Sequence, residues 1–308
     1  MKIMDLYLPI ANISVNAFAI ILLGGAVGIL SGMFGLGGGF LTTPILIFFG
    51  IPPAVAAASA SSQLTGASVS GVIAHLRRNG VDLKMGYILV FGGILGSFFG
   101  AYLFKLLQNS GQIDTVINVL YVVLLCTVGG LMARSAWRAI VAQRSGDPTP
   151  VRTRHHHRWI VALPFHWRFK ASGIYLSPLA PLILGFFTGI MTELLGVGGG
   201  FILIPAKVYL FGMRSKVVAG TSLFQILFVT ATATMVNALT NHSVDIVLAG
   251  LLLVGSVVGA QVGTRFAERI PPDYMRLGLA VLILLVAFRL IIGLGIHPDE
   301  IYTIEVTR

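Results

Sequence analysis

Gly35-Leu36-Gly37-Gly38-Gly39-Phe40, followed four residues later by Pro44, recurs as Gly196-Val197-Gly198-Gly199-Gly200-Phe201, followed at the same distance by Pro205. A long apolar run leads into each copy, and an apolar run of about a dozen residues leads out. Glycine lets a chain turn sharply without steric cost and leaves backbone N–H groups uncovered. At a helix start, such N–H groups form a ready anion site. The close-packing alternative is that glycine merely lets two backbones approach. Two copies, each before a run too short to span, favour the binding reading.

The surrounding composition sets the environment. The 308 residues are 56% hydrophobic and 10% charged, where soluble domains carry about 25% charged residues. Mean hydropathy is +0.90. Apolar runs of membrane-spanning length recur, so the chain reads as an all-α polytopic membrane protein. The runs are continuous rather than alternating, which argues against a β-barrel. The formal charge of +10 does not point to nucleic acid, because the basic residues sit between apolar runs, as cytoplasmic membrane loops do. Cys126 is the single cysteine and cannot form an intrachain disulfide. The N-terminus, with one Lys and no small-residue cleavage pattern, reads as leading into a first membrane segment.

Outward from the glycine turns, the chain divides into a first repeat at 1–137, a basic linker at 138–176, a second repeat at 177–296 and a polar tail at 297–308. The halves align residue by residue. Gly28 falls on Gly189, Ser31 on Thr192 and Pro44 on Pro205. With small insertions Ser59-Ala60 falls on Thr221-Ser222, Gln63 on Gln225, His75 on Asn237 and Asp82 on Asp245. Gly92, Gly96 and Gly100 fall on Gly255, Gly259 and Gly263. Internal repeats with short, glycine-interrupted segments at matching places mark transporter folds.

Charge orients the halves. The run at 40–51 covers only about 18 Å at ~1.5 Å per residue, against about 30 Å of hydrocarbon. It is therefore expected to dip in and return. If each glycine turn is the tip of a re-entrant-type hairpin, each half adds three transmembrane helices. Arg77, Arg78, Lys84, the linker, Arg214 and Arg265 then share one side, and the Asn241–Asp245 loop falls opposite. The positive-inside rule favours this arrangement: two inverted repeats, basic loops cytoplasmic.

Candidate chemistry is sparse. The glycine ladders at 92/96/100 and 255/259/263 have the spacing of helix-packing seams. Gln63 and Gln225 are amides inside hydrocarbon at matched positions, about one turn after Ser59 and Thr221. An unpaired amide there is costly, so each contacts either a substrate or another helix. Ser222 joins them on the second copy. Glu193 and Lys207 are charges inside apolar runs on opposite arms of the second turn, so they read as candidate coupling groups, with an ion pair between them as the structural alternative. Their repeat-mates are Gly32 and Leu46, so this feature is not symmetric. His155-His156-His157 and His166 form no plausible metal shell, since consecutive histidines cannot easily ligate one ion and no Cys or Asp lies beside them. With Arg152, Arg154, Arg158, Trp159 and Trp167 they read as an interfacial segment on anionic lipid. No Gly-x-Ser-x-Gly, His-Glu-x-x-His or Walker motif is present, so neither enzyme chemistry nor a cofactor is expected.

The doubled Gly-x-Gly-Gly-Gly-Phe with its trailing proline resembles the TauE/SafE family of sulfite exporters and four-toluene-sulfonate uptake permeases. Gly28 to Gly39, Gly220-Thr221-Ser222-Leu223 and His75 to Asp82 carry the likeness, which covers both halves. The resemblance implies a bacterial inner-membrane transporter of sulfite, thiosulfate or an organosulfonate. It places the substrate-binding residues at Gly37, Gly38, Gly39, Gly198, Gly199, Gly200, Ser59, Gln63, Thr221, Ser222 and Gln225. Two departures are Glu193, where the family is small or apolar, and Ala58-Ser59, where it carries a Gly-Thr-Ser type sequence. The expected function is secondary transport of a small sulfur-containing anion, with protons as the candidate coupling ion and the lipid bilayer as the other partner. Rival readings are an anion channel, or a membrane scaffold recruiting a partner through the basic linker.

Overall fold

The computed structural model describes residues 5–34, 39–145, 167–169, 171–209, 211, 213, 215–267 and 272–295. A short antiparallel hairpin, β1 (Asp5–Leu8) with β2 (Ile13–Asn16), opens the chain. Five helices follow: α1 (Ala17–Phe34), α2 (Gly39–Phe48), α3 (Pro53–Arg77), α4 (Leu83–Asn109) and α5 (Ile113–Ser145). A second hairpin, β3 (Trp167–Phe169) with β4 (Ile174–Leu176), opens the second half. Its helices are α6 (Leu179–Leu195), α7 (Gly200–Tyr209), α8 (Ser215–Val236), α9 (Ile246–Ala267) and α10 (Pro272–Gly295). A π-helical turn, Asn237–Asn241, ends α8.

The protein is an all-α polytopic membrane protein. Four helical stretches, Leu83–Asn109, Ile113–Arg138, Val217–Asn241 and Ile246–Gly263, are long and apolar enough to cross a bilayer. Tyr87, Phe91, Phe98 and Tyr102 lie along one face of α4, each more than half exposed. Large apolar side chains displayed this way suit contact with lipid. The helix α5 runs to Ser145, into the stretch read from the sequence as the linker, and Ala136 and Ile140, one turn apart, both stay buried.

Glycine determines how the halves meet. Gly24, Gly28 and Gly32 of α1 press on the backbone at Leu252, Ser256 and Ala260 of α9. Gly92 and Gly96 of α4 press on Leu182 and Phe186 of α6, and Gly100 on Ile190. Gly255, Gly259 and Gly263 press back on Ile21, Gly25 and Ile29 of α1, so both ladders are packing seams, as their spacing of four predicts. Partners ascend together in each seam, so α1 runs parallel to α9, and α4 to α6. The repeat-mates α3 and α8 behave differently. Thr65 Oγ1 meets Thr230 Oγ1 at 2.9 Å, while Gly71 packs on Leu223, so these two run antiparallel.

These directions place the loops. Ser59 of α3 meets Asp245 at the head of α9, and Gly66 of α3 packs on Leu253 further along, so α3 also runs parallel to α9. Since α1 and α3 both run with α9, the α1–turn–α2 unit begins and ends at one end of the molecule. Arg77 at the end of α3, Lys84 at the start of α4 and Arg265 in the last turn of α9 share the opposite end, away from Asp245.

The repeat reaches further than the apolar runs. Asn12 N–H donates to the Leu8 carbonyl at 2.9 Å, and Gly173 N–H to the Phe169 carbonyl at 2.9 Å. Both turn residues take positive φ, 53° at Asn12 and 68° at Gly173. Asn12 and Gly173 are 161 positions apart, as are Gly35 and Gly196. Each half thus starts with its own hairpin.

Candidate functional site

The second glycine turn is buried throughout Gly196–Gly200. It starts where α6 ends: Gly196 takes φ +69° and its N–H donates to the Thr192 carbonyl at 2.9 Å. Gly198 and Gly199 stay left-handed, at φ +70° and +71°, where a side chain is strained. A Cβ on Gly198 would lie 2.9 Å from Leu64 and 3.2 Å from Ile226 and Thr230, so the turn nestles between α3 and α8. The Gly199 carbonyl then accepts from Ile202 N at 3.0 Å and Leu203 N at 2.8 Å, starting α7 at Gly200. The first-turn amides of such a helix have no intrahelical acceptor.

Of the first turn, Gly35–Gly38, including the candidates Gly37 and Gly38, lies outside the described residues. Gly39 starts α2 within reach of Leu64 and of the Gly196 carbonyl. Phe40 stacks on its repeat-mate Phe201, with centroids 4.5 Å apart and planes 6° apart. Phe40 and Phe201 each sit one residue after a helix start, so the starts of α2 and α7 meet. The first half also closes the end of α6: Thr43 Oγ1 donates to the Leu195 carbonyl at 3.2 Å, and the Tyr121 hydroxyl donates to the same oxygen.

Polar side chains gather around this centre. Gln63 is buried with Oε1 lacking any hydrogen-bond partner. It lines a small cavity between α1, α3, α8 and α9 with Ser31, Ser68 and Ser256, of about 50 Å³. That volume suits roughly three or four waters. Gln225 Nε2 donates to Thr188 Oγ1 at 2.9 Å, and its Oε1 is likewise buried and unpartnered. The amide orientation at Gln225 follows from its neighbour, since the Thr188 hydroxyl donates back to the Leu184 and Gly185 carbonyls and must accept from the amide.

Ser59 and Thr221 hold the halves together at opposite ends. Ser59 Oγ accepts from Asp245 N at 3.2 Å, and Thr221 Oγ1 accepts from Asp82 N at 2.9 Å. Each aspartate also caps its own helix, Asp82 through Met85 N and Asp245 through Val247 N and Leu248 N. Their outer oxygens take donors from the hairpins. Ser172 N and Oγ reach Asp82 Oδ2 at 3.0 and 2.6 Å, and Ile10 N reaches Asp245 Oδ2 at 3.3 Å. The sequence aligned the two aspartates but gave no sign of this bridging.

Glu193 and Lys207 do not pair. Both Glu193 oxygens are buried without a hydrogen-bond partner, and its side chain packs beside Gly100. Lys207 Nζ donates instead to Ser222 Oγ at 3.0 Å. The reason is register. Glu193 sits one turn before the glycines and Lys207 two turns after, so in a hairpin they differ by several ångström in depth at ~1.5 Å per residue. The histidines at 155–157 and 166 lie outside the described residues.

The family model described as sulfite exporter TauE/SafE matches residues 20–290. The chain is 27% identical over 275 residues to a probable membrane transporter protein of Bacillus subtilis strain 168, YjnA, covering 89% of this chain and 99% of that one. A second protein of the same description and strain, YunE, is 25% identical over 280 residues, covering 88% and 96%. A probable membrane transporter protein of Methanocaldococcus jannaschii is 23% identical over 278 residues, covering 85% and 90%. No solved structure matches the chain.

Proposed function

We propose, for a chain that belongs to the sulfite exporter TauE/SafE family, secondary transport of a small sulfur-containing anion (sulfite, thiosulfate or an organosulfonate) by alternating access. The observation that carries this reading is the small cavity where the buried amide of Gln63 meets Ser31, Ser68 and Ser256, in an otherwise apolar helical protein. Helix-start amides at Gly39 and Gly200, the amides of Gln63 and Gln225, and the hydroxyls nearby supply donors of the kind an oxyanion needs. Gly37, Gly38, Gly198 and Gly199 carry no side chain to cover their own backbone N–H groups, which are the proposed anion contacts.

The two halves lie inverted in a bacterial inner membrane, with the Arg77, Lys84 and Arg265 end in the cytoplasm. The antiparallel crossing of α3 and α8 supports the inversion. Ser59 with Asp245, and Thr221 with Asp82, then close the two mouths in turn. Glu193 is the candidate proton-coupling group. It is the only buried carboxyl among the described residues without a hydrogen-bond partner. A change in its protonation can be felt directly across the α4–α6 seam.

Thermal unfolding of the detergent-purified protein tests the reading against sulfite, thiosulfate, sulfoacetate, taurine, sulfate, a carboxylate and chloride. Ligands that bind the folded state raise the midpoint by mass action. A selective rise with one sulfur anion, lost in Gln63→Ala and Gln225→Ala, is expected. No rise with any anion at millimolar concentration overturns it.

A further inference from the structure

Lys207, in the last turn of α7, has no solvent exposure at all. An ammonium carries three donors, and among the described residues its side chain bonds only a neutral hydroxyl, Ser222 Oγ. Buried charges are normally paired, because burial removes hydration that a single hydroxyl cannot replace. Among the carboxylates whose side chains the structure describes, none supplies the pair. Asp82 is engaged by Met85 and Ser172, and Asp245 by Ile10, Val247 and Leu248. Asp114 is exposed at the start of α5, and Glu193 has no partner of any kind. Among the described residues, the Lys207 amine is thus buried without a carboxylate partner.

Its surroundings are those of a ligand position. Ser222 lies next to Thr221 and one turn before Gln225, whose Oε1 is buried and unpartnered. The corresponding residues of the first half are Leu46 and Ala60, which offer neither charge nor donor. We infer that Lys207 and Ser222 form an anion-binding position present in the second half only, filled by a small oxyanion that supplies the missing negative charge. This rests on the anion-transport reading and adds to it an asymmetry. The anion is held by a full charge on the side of the basic loops and by neutral donors on the other.

The test uses the full-length purified protein and two probes, sulfite and nitrate, read by thermal unfolding. Wild type should gain stability with sulfite, and with nitrate at higher concentration. Lys207→Met should need at least tenfold more of either anion for the same rise. Ser222→Asp places a carboxylate against the ammonium. It should unfold at or above the wild-type midpoint without anion, and anion should then raise it no further. Should Lys207→Met fail to fold, Ser222→Asp alone decides. Wild-type anion dependence in either folded variant overturns the assignment while leaving anion transport standing. A wild type indifferent to every anion removes both.

Discussion

Replacing Asp82 by alanine is expected to cost more stability than any other single carboxylate change among the described residues. The side chain is 3% exposed and makes three hydrogen bonds, to Met85 N, Ser172 N and Ser172 Oγ. Loss of the helix cap costs about 1 kcal/mol. The two Ser172 donors bond a charged acceptor, for which about 1.5–3 kcal/mol each is typical. The hydroxyl can rotate to a new partner but the N–H cannot, so the sum falls to about 2.5–4 kcal/mol. Asp82→Asn keeps the cap and turns an NH2 toward Ser172, leaving one donor orphaned, for about 1–2 kcal/mol. The mate Asp245→Ala should fall between, since its outer oxygen takes one long bond from Ile10 at 3.3 Å. Unfolding in detergent gives the order, and a double-mutant cycle of Asp82→Ala with Ser172→Ala gives the coupling. A cost for Asp82→Ala below about 0.5 kcal/mol, or additive single mutants, refutes the bridge between hairpin and helix.

Further outcomes follow from the same contacts. Gly259→Ala presses a methyl onto the Gly25 backbone and should destabilise by about 1–3 kcal/mol, whereas Gly250→Ala meets nothing within 4 Å and should stabilise by about 0.5–1 kcal/mol. Opposite signs in one unfolding series check the seam. Tyr121→Phe removes a buried donor from the Leu195 carbonyl and should cost about 1 kcal/mol, with Thr43 as the remaining donor. Adding Thr43→Val should therefore cost more than its own single effect, measured in a cycle. Gln63→Leu removes a buried, unpartnered amide oxygen, so the midpoint should hold or rise while the response to sulfite disappears. A fall of several degrees would instead mark Gln63 as a structural residue.

Much of the architecture was legible because membrane helices announce themselves by apolar length, and because the repeat could be aligned through its glycines. The ladders at Gly92/96/100 and Gly255/259/263 read correctly as seams, since spacing of four leaves no other face for them. The hairpins did not show. Strands of three and four residues have no measurable periodicity, and Asn12 and Gly173 share a conformation without sharing a residue type. Nor did the partner of Lys207. Sequence distance from the glycine turn placed it loosely opposite Glu193, while the actual contact depends on how α7 leans against α8 at Ser222. Asp82 and Asp245 stood out as matched, but the hydroxyls they bridge come from the other half, which no local pattern discloses.

The most direct test of the central claim is uptake of labelled sulfite into proteoliposomes holding the purified protein. Saturable uptake, accelerated by sulfite trapped inside and abolished by Gln63→Ala with Gln225→Ala, is the predicted result. Flux that rises in proportion to concentration without saturating, or that matches protein-free liposomes, contradicts a transporter with a bound-anion step at the glycine turns.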